Sequence, residues 1–235
     1  MINATQAVVA WLVSIMLTAA PPARGRTYPE AAETREQGEE RYREIAQAVV
    51  DVAYDPEEAP LFGGKKARAL TALTVLSVAF YESGFRKDVD LGLGRHSRGD
   101  AGGSHCLMQR HIGRGKTAEG WDGADLVADR TKCLRAGLHH IRLSMHACRK
   151  LPLADRLSVY TSGRCMADEP GARARMQTAW TWGSRYAPPR ADADVILSLA
   201  NDPHGAAPVL YAVGSNDEPS AERDDPAVVE RTDSR

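Results

Sequence analysis

The sequence has no excess of charge of either sign. Its 235 residues include 30 Lys and Arg against 31 Asp and Glu, so the formal net charge is -1 at pH 7. Domains that bind nucleic acid usually carry a clear surplus of basic residues, and the composition therefore gives no indication of a nucleic-acid partner. Hydrophobic residues at 43% and charged residues at 26% are typical of a globular chain.

Apolar runs long enough to cross a bilayer comfortably are also missing. The N-terminal run from Ala7 to Ala20 is shorter than the ~20 residues of a transmembrane helix. It suits the apolar region of a secretory signal peptide, with small residues at its end for cleavage, although no Lys or Arg precedes it. We predict a signal peptide or N-terminal hydrophobic segment over residues 1–26, with a buried or membrane-resting helix as the alternative. Contact with a membrane is expected only through this segment, if it stays uncleaved.

Zinc-binding spacings such as C-x-x-C and H-x-x-x-H are absent, so no metal or cofactor is expected. The even number of cysteines instead suits an exported protein in which all of them form disulfides. They are Cys106, Cys133, Cys148 and Cys165. On one continuous helix Cys133 and Cys148 would lie ~22 Å apart and could not pair. This leaves Cys106 with Cys148 or Cys165, and an antiparallel return by the next helix favours a bond between Cys133 and Cys165.

Helical periodicity of apolar residues covers much of the chain. It predicts helices over residues 34–53, 65–81, 125–147, 152–163 and 169–186. The run from Lys65 to Tyr81 is strongly apolar and is expected to be the buried central helix. The glycine-rich segment from Leu91 to Gly103 excludes helix and predicts a small β-element. Residues 188–235 have little periodicity and are expected to form a largely mobile extension.

Glu82 is the residue with the clearest physical reason to be catalytic. It lies at the C-terminal end of the predicted central helix, directly before Ser83 and Gly84. The negative pole of the helix and the apolar neighbours both disfavour its charge, so its pKa is expected to be raised. A carboxyl group that keeps its proton is what a general acid at a glycosidic oxygen requires.

Three short motifs follow one another along the chain. They read Ala-Phe-Tyr-Glu-Ser-Gly-Phe over residues 79–85, Cys-Leu-Met-Gln over 106–109 and Tyr-Thr-Ser-Gly over 160–163. In this order they resemble the lysozyme-like domain of soluble lytic transglycosylases and goose-type lysozymes, where the motifs are Glu-Ser-Gly-Phe, Gly-Leu-Met-Gln and Tyr-Asn-Ala-Gly. The resemblance covers about residues 65–165. It implies a mainly helical, α+β lysozyme-like domain over residues 34–187, with a small β-hairpin beside the active-site cleft.

The resemblance also implies a function, that of a peptidoglycan lytic transglycosylase acting on glycan strands. Glu82 would protonate the bond between N-acetylmuramic acid and N-acetylglucosamine, and would then act as base on the muramic acid 6-hydroxyl to give a 1,6-anhydro product. Ser83 would bind near the substrate's N-acetyl group, and Gln109 would line the cleft. Tyr160 would support the reacting carboxyl or sugar, while Met108 would pack beneath the site. The expected location is the periplasm or cell envelope, with a phage-associated protein as the alternative.

Departures from the family pattern keep other readings open. Thr161 replaces the motif's Asn, which removes an amide that could position substrate and favours an inactive wall-binding protein of the same fold.

The segment between the first two motifs is longer than usual and contains Asp88, Asp90 and Asp100. Any of these could supply the base of a goose-type lysozyme hydrolase if its carboxyl lay roughly 6.5–9.5 Å from that of Glu82. Ser83 and Gln109 also suit purely local roles as capping and turn residues, and Tyr160 that of a core aromatic.

Overall fold

Most of the described chain is helical. A computed structural model describes residues 4–22 and 28–189 and confirms the predicted fold class, a mainly helical chain with one small β-hairpin. The helices of these residues are α1 (Ala4–Ala19), α2 (Arg35–Ala53), α3 (Ala67–Ser83), α4 (Lys87–Asp90), α5 (Gly123–Ala128), α6 (Arg130–Ala147), α7 (Ser158–Ser162) and α8 (Pro170–Arg185). Strands β1 (Ser104–His105) and β2 (Arg110–His111) pair antiparallel, with Ser104 opposite His111 and His105 opposite Arg110. The hairpin thus follows the glycine-rich segment 91–103 in which the β-element was predicted, and that segment instead forms short 3₁₀ turns over Arg95–Ser97 and Asp100–Gly102. The extension predicted over residues 188–235 lies outside the described residues from position 190 onward.

Local signals set the ends of the two helices that lead to Glu82. Helix α2 begins after Thr34, whose hydroxyl accepts a hydrogen bond from the Gln37 amide while the Gln37 side chain accepts one from the Thr34 amide. Helix α3 ends at Gly84, which adopts a left-handed conformation with φ 57° and donates its N–H to Phe80 O. Glycine takes this conformation without strain, so the helix can stop directly after Glu82 and Ser83.

Helix α3 is the buried centre of the fold, as the sequence predicts. It packs against α8 and α2, and α2 in turn packs against α1 and α6. Its buried apolar residues are Ala69, Ala72, Leu73, Val75, Leu76, Val78 and Ala79. Because α3 is surrounded by other helices, its last turn brings Glu82 to the place where the core meets solvent.

The helix predicted over residues 125–147 is divided into α5 and α6. Asp129 separates them with an extended backbone, at φ -135° and ψ 108°. Its carboxylate accepts hydrogen bonds from the amides of Thr131 and Lys132. An aspartate that caps a helix start in this way competes with continuous helix, so α6 begins as a separate element.

The N-terminal apolar run forms helix α1, which packs against α2. Its fully buried side chains are those of Val8, Leu12, Ile15 and Met16. Trp11 Nε1 donates a hydrogen bond to Tyr186 O at 3.1 Å, and the Tyr42 hydroxyl donates one to Ala20 O at 2.6 Å. In this structure the segment is therefore a buried helix, while its removal as a signal peptide stays a prediction. Within residues 4–22 and 28–189, no helix has both the length and the apolar character to cross a membrane.

The disulfides join Cys106 to Cys133 and Cys148 to Cys165, with Cα atoms 6.1 and 5.4 Å apart. The predicted bond between Cys133 and Cys165 is therefore wrong, as is the pairing of Cys106 with Cys148 or Cys165. The exclusion of a bond between Cys133 and Cys148 is confirmed. Two disulfides suggest an oxidising compartment reached by export.

The wrong pairing has a structural cause. The prediction assumed that residues 152–163 form one long helix that runs back along α6. This segment instead forms only a short 3₁₀ turn followed by the short helix α7. Cys165 therefore stays near the C-terminal end of α6, next to Cys148. At the other end, Gly137 lets the Met108 side chain approach α6, since a Cβ at this glycine would lie 2.4 Å from Met108 Cε. That contact places Cys106 against Cys133, about one helical turn before Gly137.

If α1 is part of the folded domain, truncating its buried face must destabilise the whole chain. We expect Leu12→Ala to lower the free energy of unfolding by about 2–5 kcal/mol, because it leaves a cavity between α1 and α2. Urea denaturation of the full chain measures this. Ser14→Ala, at an exposed position of the same helix, is the matched control and should stay close to the parent. An unchanged unfolding free energy for Leu12→Ala would mean that α1 does not pack in the core.

The disulfide connectivity is tested by peptide mapping of the oxidised protein without reductant. We expect linked peptides for Cys106 with Cys133 and for Cys148 with Cys165, because the hairpin turn contacts the start of α6 and the chain after α7 stays at its end. Recovery of a Cys133–Cys165 peptide as the main species would contradict this arrangement.

Candidate active site

The Glu82 carboxyl lies at the edge of the core. Glu82 occupies the last turn of α3, and its side chain is 19% exposed. Burial is the largest influence on its pKa and raises it, which confirms the direction expected from the sequence. The nearby charge of Asp100 raises the pKa further, while the Arg175 guanidinium opposes both. The result is a carboxyl that holds its proton more firmly than an ordinary glutamate and can still be reached from solvent.

The two oxygens of this carboxyl have different surroundings. Oε1 accepts a hydrogen bond from Arg175 Nη2 at 2.7 Å. Oε2 has no hydrogen-bond partner within residues 4–22 and 28–189, and it is not among their buried, unsatisfied atoms. One oxygen is therefore held by the protein, and the other is available to exchange a proton with a bound molecule.

The second and third sequence motifs meet beside Glu82. Met108 is fully buried, in agreement with the packing role expected for it. The Tyr160 hydroxyl donates a hydrogen bond to Met108 O at 2.7 Å. Burial raises the pKa of Tyr160, and the negative charge of Glu82 raises it further, so the phenol keeps its proton. Tyr160 thus lies within electrostatic reach of the candidate acid, and it joins the hairpin turn to α7.

His140 packs behind Tyr160. The two rings meet edge to face with centroids 5.0 Å apart. Burial, assisted by the charge of Arg110, lowers the pKa of His140 to about 4. The imidazole is therefore neutral at physiological pH and accepts a hydrogen bond from Arg110 at Nδ1. These groups pack next to Tyr160.

Ser83 and Gln109 are engaged within the fold. Ser83 is buried, donates its hydroxyl to Ala79 O at 2.6 Å and accepts a hydrogen bond from the Phe85 amide. Gln109 accepts a hydrogen bond from the Gly99 amide at 2.8 Å. Its side-chain amide donates to Ser97 O and Cys106 O. Both residues have the local roles considered as alternatives, and their contacts with substrate stay a prediction.

The three aspartates between the first two motifs are not equivalent. Asp88 is buried and paired with Arg86, and Asp90 is buried and paired with Arg130 at 2.9 Å. Neither carboxylate can serve a substrate without breaking its ion pair. Asp100 is 65% exposed, lies 3.3 Å from His111 and raises the pKa of Glu82. It is thus the one of the three whose charge reaches the candidate acid.

Arg175 is the site residue that the sequence interpretation missed. It lies 93 positions after Glu82 and outside all three motifs. One signal could have indicated it: Ala172, Met176 and Ala179 form the buried stripe of α8, and Arg175 falls on the same stripe. A charged residue among core positions needs a buried partner, and here that partner is Glu82.

Thr161, the departure in the third motif, contacts the start of α8. Its hydroxyl donates a hydrogen bond to Glu169 Oε2 at 2.6 Å. Glu169 is the N-cap of α8 and accepts hydrogen bonds from the amides of Gly171 and Ala172. Thr161 therefore connects the third motif to the helix that carries Arg175.

Two surface grooves of the described chain lie away from this site. These grooves, of about 570 and 380 Å³, border α2 and the start of α6, and neither is lined by Glu82, Tyr160 or Arg175. Within the described ranges no three His, Cys, Asp or Glu side chains are grouped so that they could hold a metal ion. The site is distinguished by its carboxyl chemistry.

Comparison of the chain with protein family models, with curated proteins and with solved structures found no match. The candidate active site is therefore defined by its own residues and geometry.

Because Gln109 ties the loop before β1 to the turn after it, its loss should loosen that loop. We expect Gln109→Ala to speed hydrogen exchange of the Gly99 amide by roughly fivefold, the equivalent of about 1 kcal/mol for one hydrogen bond. Exchange followed by NMR measures this, and the Gly84 amide, which is bonded to Phe80 O at the end of α3, serves as internal control. Equal protection of Gly99 in both proteins would exclude this role for Gln109.

Proposed function

We propose that this chain is a peptidoglycan lytic transglycosylase with Glu82 as its catalytic residue. The observation that supports this most directly is a half-buried carboxyl of raised pKa with one unoccupied oxygen, at the meeting point of the three motifs. Such a group fits a general acid at a glycosidic oxygen. Its substrate would be the glycan strand of peptidoglycan.

In the proposed reaction Glu82 acts twice. Its protonated carboxyl gives the proton to the oxygen that joins N-acetylmuramic acid to N-acetylglucosamine, and the bond from the muramic acid C1 to this oxygen breaks. The resulting carboxylate then removes the proton from the muramic acid 6-hydroxyl, whose oxygen bonds to C1. The product carries a 1,6-anhydro ring, Glu82 is protonated again and no water is consumed. Tyr160 would support the carboxyl or the sugar, Ser83 would bind near the substrate's N-acetyl group, and Gln109 would line the cleft.

The ion pairs of the aspartates between the first two motifs favour a reaction that uses a single acid/base residue. Hydrolysis of a glycosidic bond usually requires a second carboxylate that activates water. Asp88 and Asp90 are occupied by buried ion pairs, which leaves Asp100. The alternative function, a goose-type lysozyme hydrolase, rests on this one residue, because Asp100 is exposed and interacts with Glu82.

An inactive wall-binding protein is the candidate from another class. It is favoured by Thr161, whose hydroxyl is directed to Glu169 and which offers no side-chain amide to a substrate. For all three functions we propose the periplasm or cell envelope as the location, with a phage-associated protein as the alternative.

The decisive experiment is mass analysis of the fragments released from purified peptidoglycan. We expect fragments ending in 1,6-anhydromuramic acid from the parent protein, since the muramic acid supplies its own nucleophile. Glu82→Gln keeps the shape of the side chain but removes the transferable proton. It should lower the rate by a factor on the order of 10² or more.

Glu57→Gln, which makes the same change at an exposed position, is the matched control and should cleave like the parent. Reducing muramic acid ends, lost in Asp100→Asn, would establish the hydrolase instead. Binding of peptidoglycan without any fragments would favour the wall-binding protein.

A further inference from the structure

Arg175 is held in place from three directions. Its Nη1 donates a hydrogen bond to Gly171 O at 2.9 Å, within its own helix. The guanidinium carbon lies 5.1 Å from the ring centroid of Tyr81, which itself is hydrogen-bonded to Thr178. The third contact is the ion pair with Glu82, at 2.7 Å. With its side chain only 13% exposed, Arg175 has little freedom to turn elsewhere.

This arrangement makes the two oxygens of Glu82 chemically different. A proton on Oε1 would oppose the N–H of Arg175, because both groups would then be donors directed at each other. The proton of the neutral carboxyl therefore belongs on Oε2, the oxygen without a partner in the described chain. Arg175 thus selects the oxygen that carries the proton.

The start of α8 supports the position of Arg175. Glu169 caps the helix, and the hydroxyl of Thr161, in the third motif, donates a hydrogen bond to the Glu169 carboxylate. Arg175 follows the capped turn and reaches back to Gly171 O. The Thr161 side chain thereby contributes to the geometry at Glu82 through α8.

We propose that Arg175 is a positioning residue for the reaction of Glu82, which holds one carboxyl oxygen so that the other carries and returns the proton. The inference rests on the proposed function, because it assigns Arg175 a part in that reaction.

The charge of Arg175 also adjusts the pH range of the reaction. Burial and Asp100 both raise the pKa of Glu82, and Arg175 is the cationic group that opposes them. Among the described residues Tyr160 is a further titratable group that interacts with this carboxyl. A general acid works best when its pKa is near the operating pH, so an unopposed rise would leave a carboxyl that gives up its proton too reluctantly. Arg175 would limit that rise and stabilise the carboxylate after the first proton transfer.

The test compares Arg175→Gln, Arg175→Lys and Arg173→Gln in the full chain. Arg173 lies two positions earlier on α8 and is paired with Asp155 and Asp168, so its substitution removes the same charge and also breaks ion pairs. Two readouts are recorded for each variant. One is the pH profile of glycan cleavage, and the other is the ¹³C NMR titration of the Glu82 carboxyl, assigned with Glu82→Gln.

Cleavage needs the protonated acid, so it falls as the pH rises through the pKa of Glu82. Removing Arg175 favours the protonated form of Glu82. We therefore expect the high-pH limb of the profile, where cleavage falls, to move to higher pH by roughly one unit in Arg175→Gln. The NMR titration should move in the same direction, and the maximal rate should fall by about tenfold as the carboxyl loses its fixed orientation. Arg175→Lys should keep the pH limb near that of the parent, and Arg173→Gln should keep both limb and rate.

The proposal would be overturned if Arg175→Gln left both the high-pH limb of the cleavage profile and the NMR titration of Glu82 unchanged. The same upward movement in Arg173→Gln would also overturn it, because the effect would then come from net charge. If Arg175→Gln does not fold, a loss of rate in Arg175→Lys with an unmoved titration supports the positioning role, and a parental rate refutes it. A parent protein that cleaves no glycan would refute the proposed function, while an upward NMR titration would still support the control of Glu82 by Arg175.

Discussion

The enclosure of α3 by its neighbouring helices is the constraint on which the rest of the molecule depends. A helix packed against α8 and α2 must be apolar on nearly every face, and its last turn must then emerge from the core. Glu82 lies in that turn. A carboxylate fully in water would have an ordinary pKa, and one fully buried without a partner would cost several kcal/mol. Partial burial with a single arginine partner lies between these extremes, and it yields a carboxyl that is both protonated more readily and accessible.

The parts around this carboxyl are held together by contacts distant in sequence. The Cys106–Cys133 disulfide and the approach of Met108 to Gly137 attach the hairpin turn to α6. The Tyr160 hydroxyl then joins α7 to the same turn through Met108 O. The first two contacts fix the second motif to α6 and the third fixes the third motif to the second, so these two motifs cannot move independently of one another. Preorganisation of this kind favours catalysis, since the reacting groups need not be ordered when substrate binds.

Two of the three aspartates in the segment after α3 are neutralised by ion pairs. Asp88 and Asp90 lie in buried ion pairs with arginines, where they stabilise the segment that follows α3. Asp100 remains exposed on the loop that leads to the hairpin. One acid held by one arginine remains at the centre of the candidate site.

The sequence by itself determined the features that depend on neighbouring residues. Apolar periodicity predicted α2 and α3, and Gly84 predicted where α3 ends, because a left-handed residue stops a helix by local geometry. The raised pKa of Glu82 followed from its place at the end of an apolar helix. The division at Asp129 was missed although its signal is local, since an aspartate inside a periodic run can either cap a helix or face solvent.

Only the tertiary structure decided which distant residues meet. The disulfide partners depended on the short turns that replace a helix over residues 152–163. The partner of Glu82 depended on the packing of α8 against α3, which brings Arg175 across 93 positions. The three aspartates between the first two motifs could not be told apart by residue type. Packing alone decided that Asp88 and Asp90 form buried ion pairs while Asp100 stays exposed. Local periodicity specifies which face of a helix is apolar, but the free energy of burying that face is similar against several partners, so the choice among them belongs to the folded chain as a whole.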